Sequence, residues 1–264
     1  MGAGLPKDAN GVEPVSTGVD RALQIVAAMA SHSDPDMGIS QLARETGMSK
    51  AVVHRIVRTL VARDFFAYDE ASQRYSLGSG ALVVGLAALE RMNVPSVAST
   101  YLQRVVDETH ETATLSARIG NHRTYVRQHL SPREIHMSIR IGSQFPLYRG
   151  ASSLAILGAL DDAEVQEIVA GGKAVDATLD GARVLDQVAE VRQRGFAYSR
   201  GERQLGAASL ASAVRLADGS VWGSASVCGP ADRFTEEAVA EYSGRIREAA
   251  AGISQDLGFR GAIY

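Results

Sequence analysis

The chain has 264 residues, 45% hydrophobic and 22% charged, with a formal net charge of −3. That length allows one or two domains with a sizeable core, which argues against a disordered chain. The lone cysteine, Cys228, excludes an internal disulfide and a cysteine-based metal cluster, and the mild acidity lends nucleic-acid binding no support from whole-chain charge.

Residues 1 to 14 mix Gly, Pro and polar side chains without periodicity, which predicts a disordered tail. They contain no apolar signal segment. The longest apolar run, Ala81 to Leu89, falls short of the roughly 18 residues of a membrane span, so a soluble, cytoplasmic protein with no membrane partner is expected. A helix is predicted from Val19 to Ser31, with Leu23, Val26, Ala27 and Met29 among its apolar positions, followed by a turn-rich loop to Gly38.

Ile39 to Asp64 reads as a short helix, a turn and a second helix. The first is expected to start at Ser40, as its cap, and to stop at Gly47 in a left-handed conformation, with Leu42 and Ala43 inward. The second is capped by Ser49 and repeats apolar residues at Val52, Val53, Ile56, Val57 and Leu60. The opposite side carries Ala51, His54, Arg55 and Arg58, flanked by Lys50. Lys and Arg neutralise phosphates, Arg pairs with guanine, and His or Ser meets a base edge, so this face suits duplex DNA. Phe65 to Tyr68 and Arg74 to Leu77 are two short strands around a turn, which completes a winged helix-turn-helix. Ser40, Ser49 and Arg74 join the face as candidate DNA contacts. Residues 15 to 78 hold seven basic and seven acidic side chains, so the reading rests on segregation of charge rather than on its sum.

Ser79 to Met92 is apolar nearly all round a helix and therefore needs burial on most of its surface. It packs either against its own second domain or, the reading preferred here, against the same helix of a second subunit through Leu82, Val83, Leu86 and Leu89. Pro95 opens a helix to Thr109. Strands are predicted at Ala113 to Ile119, Arg123 to Leu130 and Ile135 to Ile141, as an antiparallel meander. Helices follow at Ala151 to Ala159, Ala163 to Val169 and Val184 to Arg194, then strands at Ser209 to Leu216 and Val221 to Cys228. A last helix runs from Thr235 to Leu257. The order predicts an α+β fold: a winged helix-turn-helix domain (15–78), a linker helix for dimerisation (79–95) and an effector domain of the GAF or PAS kind (96–264).

Three stretches, RALQIV, ISQLARETGMSKAVVHRIVRTL and RYSLG, resemble the DNA-binding domain of the IclR family of bacterial transcription regulators. The resemblance continues through FPLYRGASSLAILGAL, GFAYSRGERQLGAASLASAV and SASVCGP, and covers roughly residues 15 to 257. It implies an inverted-repeat DNA operator, a homodimer with pairing of dimers left open, and a metabolite site. The family's pocket positions fall on Met137, Phe145, Ala151, Ser152, Ser199, Ser209, Ser226 and Cys228. The chain departs from the pattern at Ser199, where some members are acidic, and at Ser209, where some carry Cys, so their ligands do not transfer.

Chemistry is compatible with that set. Ser226 and Cys228 share one face of a strand, Ala151 and Ser152 open a helix whose free amides welcome a carboxylate, and Met137 and Phe145 offer an apolar wall. The bland alternative is a sheet core filled by small residues. Arg200, Glu202 and Arg203 read as a solvated loop rather than an anion clamp. No catalytic motif, metal-ligand spacing or cofactor loop appears, and Asp161-Asp162 and Glu236-Glu237 sit where helix dipoles favour acids. The expected function is a repressor of a catabolic operon, switched by a small aromatic or short-chain acid, without cofactor, metal or catalysis. The alternatives are a DNA-binding protein without a ligand and an enzyme with an accessory winged helix.

Overall fold

The structure, a computed structural model, describes residues 17–32, 34–202 and 204–264; the expected tail, residues 1 to 14, lies outside them. The chain divides into two compact units between Arg91 and Met92.

The first unit runs α1 (Thr17–Ser31), β1 (Asp36–Met37), α2 (Ile39–Thr46), α3 (Lys50–Ala62), β2 (Phe66–Asp69), β3 (Arg74–Leu77) and α4 (Ser79–Met92). Its core joins Ile25 and Met29 of α1, Leu42 and Ala43 of α2, and Val53 and Val57 of α3 to Met37, Phe66 and Tyr75. Helical spacing puts those residues on facing stripes, and Gly47 ends α2 at φ 69°, as the pattern predicts. The start of α2 differs from expectation. Gly38, not Ser40, stands at the cap without a side-chain bond, and Ser40 is exposed in the first turn. Ser49 does cap α3, accepting from the Val52 amide at 3.4 Å.

The loop before α2 contains a strand that its turn-rich composition hid. Met37 is fully buried and β1 pairs with β3, which in turn pairs with β2, giving an antiparallel order β1-β3-β2. The wing's turn is closed by Asp69, which accepts from Ser72 Oγ at 2.7 Å and Ala71 N at 3.0 Å. Those bonds, the Ser72 hydroxyl first, hold the Asp69 carboxyl below its usual range.

The second unit comprises α5 (Val94–Thr109), β4 (Thr112–Ile119), β5 (His122–His129), β6 (Gln144–Pro146), α6 (Ala151–Gly158), α7 (Asp162–Val175), α8 (Gly181–Arg194), β7 (Ala197–Arg200), β8 (Ala207–Arg215), β9 (Val221–Pro230) and α9 (Glu236–Asp256). Six strands form one antiparallel sheet, ordered β6-β5-β4-β9-β8-β7. Period-two alternation gives it unlike faces. Ala113, Leu115, Leu210, Val214, Ala225 and Val227 pack with α5 and α9 in the main core. The other face presents hydroxyls, and α6, whose eight residues are all buried, lies between it and α7 and α8. A helix apolar on every side needs that double cover.

Three expectations change. Ile135 to Ile141 alternates in sequence yet forms no strand, because side chains take its backbone bonds: Gln128 Oε1 accepts from Ile139 N at 2.9 Å and Thr112 Oγ1 donates to Met137 O at 2.6 Å. The short β6 replaces it beside β5. The strand β7 was unforeseen, and α7 continues six residues past Val169, to Val175.

The sheet's tightest point is Gly223, where a Cβ would stand 1.9 Å from the Ser116 carbonyl oxygen of β4. Gly244 on α9 has open space around it. Urea unfolding should therefore give opposite signs for two chemically identical changes. Gly223→Ala should destabilise by about 1 to 3 kcal/mol or more, and Gly244→Ala should stabilise by about 0.5 to 1 kcal/mol. Equal shifts would contradict the close approach of β4 and β9.

Candidate functional site

Two regions collect the chemistry. On the first unit, α3 turns Val53 and Val57 inward and leaves Lys50, Ala51, His54, Arg55 and Arg58 exposed on the outer side, with Ser49 beside them. Among the described residues, Lys50, Arg55 and Arg58 form no salt bridge. Exposed cations outside such pairs are available to external phosphates or base edges. Arg74 does not belong to this set. Its Nε pairs with the Asp36 carboxylate and its Nη2 donates to the Asp36 carbonyl at 2.7 Å, so it fastens β3 to β1. That bidentate lock makes it a structural residue of the small sheet.

On the second unit, strand register sets the hydroxyl face in rows. Thr112, Cys228, Ser209 and Ser199 stand side by side across four strands, and Thr114, Ser226 and Ala211 form the next row. Buried hydroxyls need partners. Thr114 and Ser226 bond each other at 2.6 Å, and Ser224 donates to the Ser152 carbonyl of α6 at 3.1 Å.

Where α6 begins above these rows, a small cavity of about 30 Å³ opens. Met137, Ala151, Ser152, Ser199, Ser209, Ser226 and Cys228 all line it, which brings together every sequence-derived pocket position except Phe145. Phe145 stands behind the wall, edge-on to Tyr125 with ring centroids 5.8 Å apart. Gly150 precedes α6 at φ 81° and ψ 161°, a conformation that only glycine adopts readily. The first amides of α6, those of Ala151 and Ser152, are left without intrahelical acceptors by helix geometry, and both residues line the cavity.

Two charged residues in the lining were missing from the sequence-derived set. Arg123 is 1% exposed; its Nε donates to Ser153 Oγ at 2.8 Å, and its guanidinium lies 4.5 Å from the Tyr125 ring centre. Glu202 accepts from the Gly150 amide at 3.2 Å, so the charged run at 200 to 203 does not lie wholly in a solvated loop. Arg203 lies outside the described residues. A β-bulge carries Arg123 inward: the register of β4 and β5 shifts between Leu115 and Ser116, which places Tyr125 opposite Ser116.

A cation, helix amides and hydroxyls converging beside apolar Met137 and Ile139 favour a small anion with an apolar body. Among the described residues no group of three His, Cys, Asp or Glu could hold a metal ion, and no helix is long and apolar enough to cross a membrane.

Comparison with known proteins agrees over both units. The family description "IclR helix-turn-helix domain" matches residues 18–70, and "Bacterial transcriptional regulator IclR C-terminal" matches 86–255. The regulator KipR of Bacillus subtilis is 28% identical over 231 residues, covering 85% of this chain and 91% of its own. The repressor AllR of Escherichia coli is 26% identical over 255 residues, 94% of each chain. A solved IclR homologue from Microbacterium hydrocarbonoxydans, complexed with 4-hydroxybenzoate, superposes with a TM-score of 0.73 at 18% identity, covering 91% of this chain and 99% of that one.

Proposed function

Because the chain belongs to the IclR family of bacterial transcriptional regulators, we propose that it represses a catabolic operon, binding an inverted-repeat operator as a homodimer whose grip depends on a small organic acid. The likeness to AllR supports the repressor sign, and the 4-hydroxybenzoate held by the Microbacterium homologue belongs to the proposed ligand class. The observation that carries the reading is the cavity at the start of α6, where Arg123, two helix amides and the sheet's hydroxyls meet. At about 30 Å³ it is too small for such an acid, so binding must rearrange its walls. A ligand alters DNA affinity only through unequal affinity for two arrangements, and operator and ligand must then affect each other reciprocally.

The α3 face supplies the DNA contacts in this reading. Arg55→Ala and Arg58→Ala should each weaken operator binding, by roughly 1 to 3 kcal/mol where the residue reads a base and by less, with a shallower salt dependence, where it meets phosphate. Fluorescence anisotropy on the native operator measures both. Unchanged affinity in the two single mutants would take α3 out of the groove.

Dimerisation is assigned to α4. The sequence demands burial of this helix, yet Leu82, Val83, Val84 and Leu86 are each more than half exposed in the single chain. The Leu89 side chain lies outside the described residues. A second copy of the helix would cover the exposed stripe and present two α3 helices to two half-sites. Leu86→Glu should shift sedimentation toward monomer and abolish operator binding together. A mutant that sediments as wild type and binds normally would remove the assignment.

The pocket itself is tested by Ser226→Leu, which replaces a hydroxyl bonded to Thr114 with bulk facing the cavity. The mutant's melting curve is needed first, since overpacking a core strand costs about 1 to 3 kcal/mol. Once folded, it should bind operator near normally and lose any response to a panel of benzoate, 4-hydroxybenzoate and pyruvate. A native dose response would locate the ligand elsewhere. If no acid shifts the wild-type melting temperature, a DNA-binding protein without a ligand becomes the better reading.

A further inference from the structure

The carboxylate of Glu202 sits at the amino end of α6, on the cap amide that immediately precedes the two amides a small acid would reach. Oε2 accepts from the amide of Gly150, at the amino end of α6, at 3.2 Å, and Oε1 accepts from Gln187 Nε2 at 3.1 Å. The residue belongs to neither element it touches. It comes from the turn between β7 and β8, flanked by Gly201 and Gly206, both with positive φ. Gly150 offers no side chain to cap α6, and no side-chain bond from the cap residue exists, so this distant acid supplies the anion that the helix end favours. Resting on the small-acid reading above, we propose that Glu202 is a built-in competitor of the ligand: its carboxylate holds the start of α6, and an incoming carboxylate turns it out toward Arg183.

The route out is visible. Glu202 borders two spaces at once, the cavity of about 30 Å³ and a neighbouring cleft of about 280 Å³ that Arg183, Gln187 and Tyr148 also line. Arg183 Nη2 stands 3.9 Å from Glu202 Oε1 and projects into solvent. Arg183 and Gln187 are four residues apart on α8 and so share one helix face. A rotation of the Glu202 side chain exchanges its hydrogen bond to the cap amide of Gly150 for a closer ion pair with Arg183, so both positions satisfy the charge.

Displacement is required by electrostatics as well as by volume. Two ionised carboxylates against one helix end repel each other strongly, so the second evicts the first. A neutral molecule of the same shape has no such claim on the amides and would leave the helix end without an anion. The competitor thus selects for acids and lowers their apparent affinity by the fraction of time it is in place.

The test is calorimetric titration of the full-length protein with benzoate, 4-hydroxybenzoate and pyruvate, in wild type, Glu202→Gln and Gln187→Ala. A competitor seated about nine-tenths of the time predicts binding about tenfold tighter in Glu202→Gln. Gln187→Ala, which loosens the seated carboxylate from outside the cavity, should shift affinity the same way by less. Equal affinities in all three proteins, or weaker binding in Glu202→Gln, overturn the competitor while leaving the pocket in place. Absence of binding by every acid to all three folded proteins overturns the pocket reading and the competitor together. Should Glu202→Gln fail to fold, Gln187→Ala decides alone, and unchanged affinity there sinks the proposal.

Discussion

The second unit is organised by a requirement to satisfy buried hydroxyls. Thr112, Thr114, Ser116, Ser224 and Ser226 are all almost completely buried on one face of the sheet. Each such group costs free energy unless it finds a partner. They find one another, as Thr114 and Ser226 do, or reach polar groups of the elements above, as Ser224 reaches the Ser152 carbonyl and Ser116 meets Arg123. These bonds draw α6 and the 131–143 segment onto the sheet at defined points. An all-apolar face would permit sliding. The cavity exists because α6 begins, rather than ends, above the polar rows.

Most of the fold was legible because its signals are local. Apolar spacing and caps marked α3, where Ser49 and the Val53–Val57 stripe behave as written, and the last helix, expected from Thr235, starts one residue on with Thr235 as its cap. The failures share a different cause. Ile135 to Ile141 has strand-like alternation, but whether an extended segment joins a ladder depends on what bonds its backbone, and here the Gln128 side chain takes the Ile139 amide and the Thr112 hydroxyl takes the Met137 carbonyl, pairings that alternation does not report. The two residues of β1 were likewise invisible, since only Arg74, at a sequence distance of 38 residues, reveals why Asp36 is there.

The pocket positions came from the resemblance to the IclR family, and strand period and helix start explain why Ser226, Cys228, Ala151 and Ser152 fall together. Arg123 escaped because one extra residue in β5 reverses which side of the sheet its neighbours face, and nothing in YVRQH announces a bulge. Glu202 escaped for the opposite reason. Its surroundings, RGERQ, look like an ordinary polar turn, and its position at α6 follows from chain path alone.

The hydroxyl face also bears on how such pockets diverge. Serine, threonine, cysteine and alanine differ by an atom or a methyl group, so exchanging them alters what a wall can donate or accept while barely altering its volume. The opposite face, with Leu115, Leu210 and Val227 interlocked against α5 and α9, has no such freedom. Descent can therefore redraw the chemistry of one side while the other keeps the architecture fixed. Two relatives that superpose well over their whole length can for that reason answer to unrelated metabolites, and inheritance of shape is separate from inheritance of the signal.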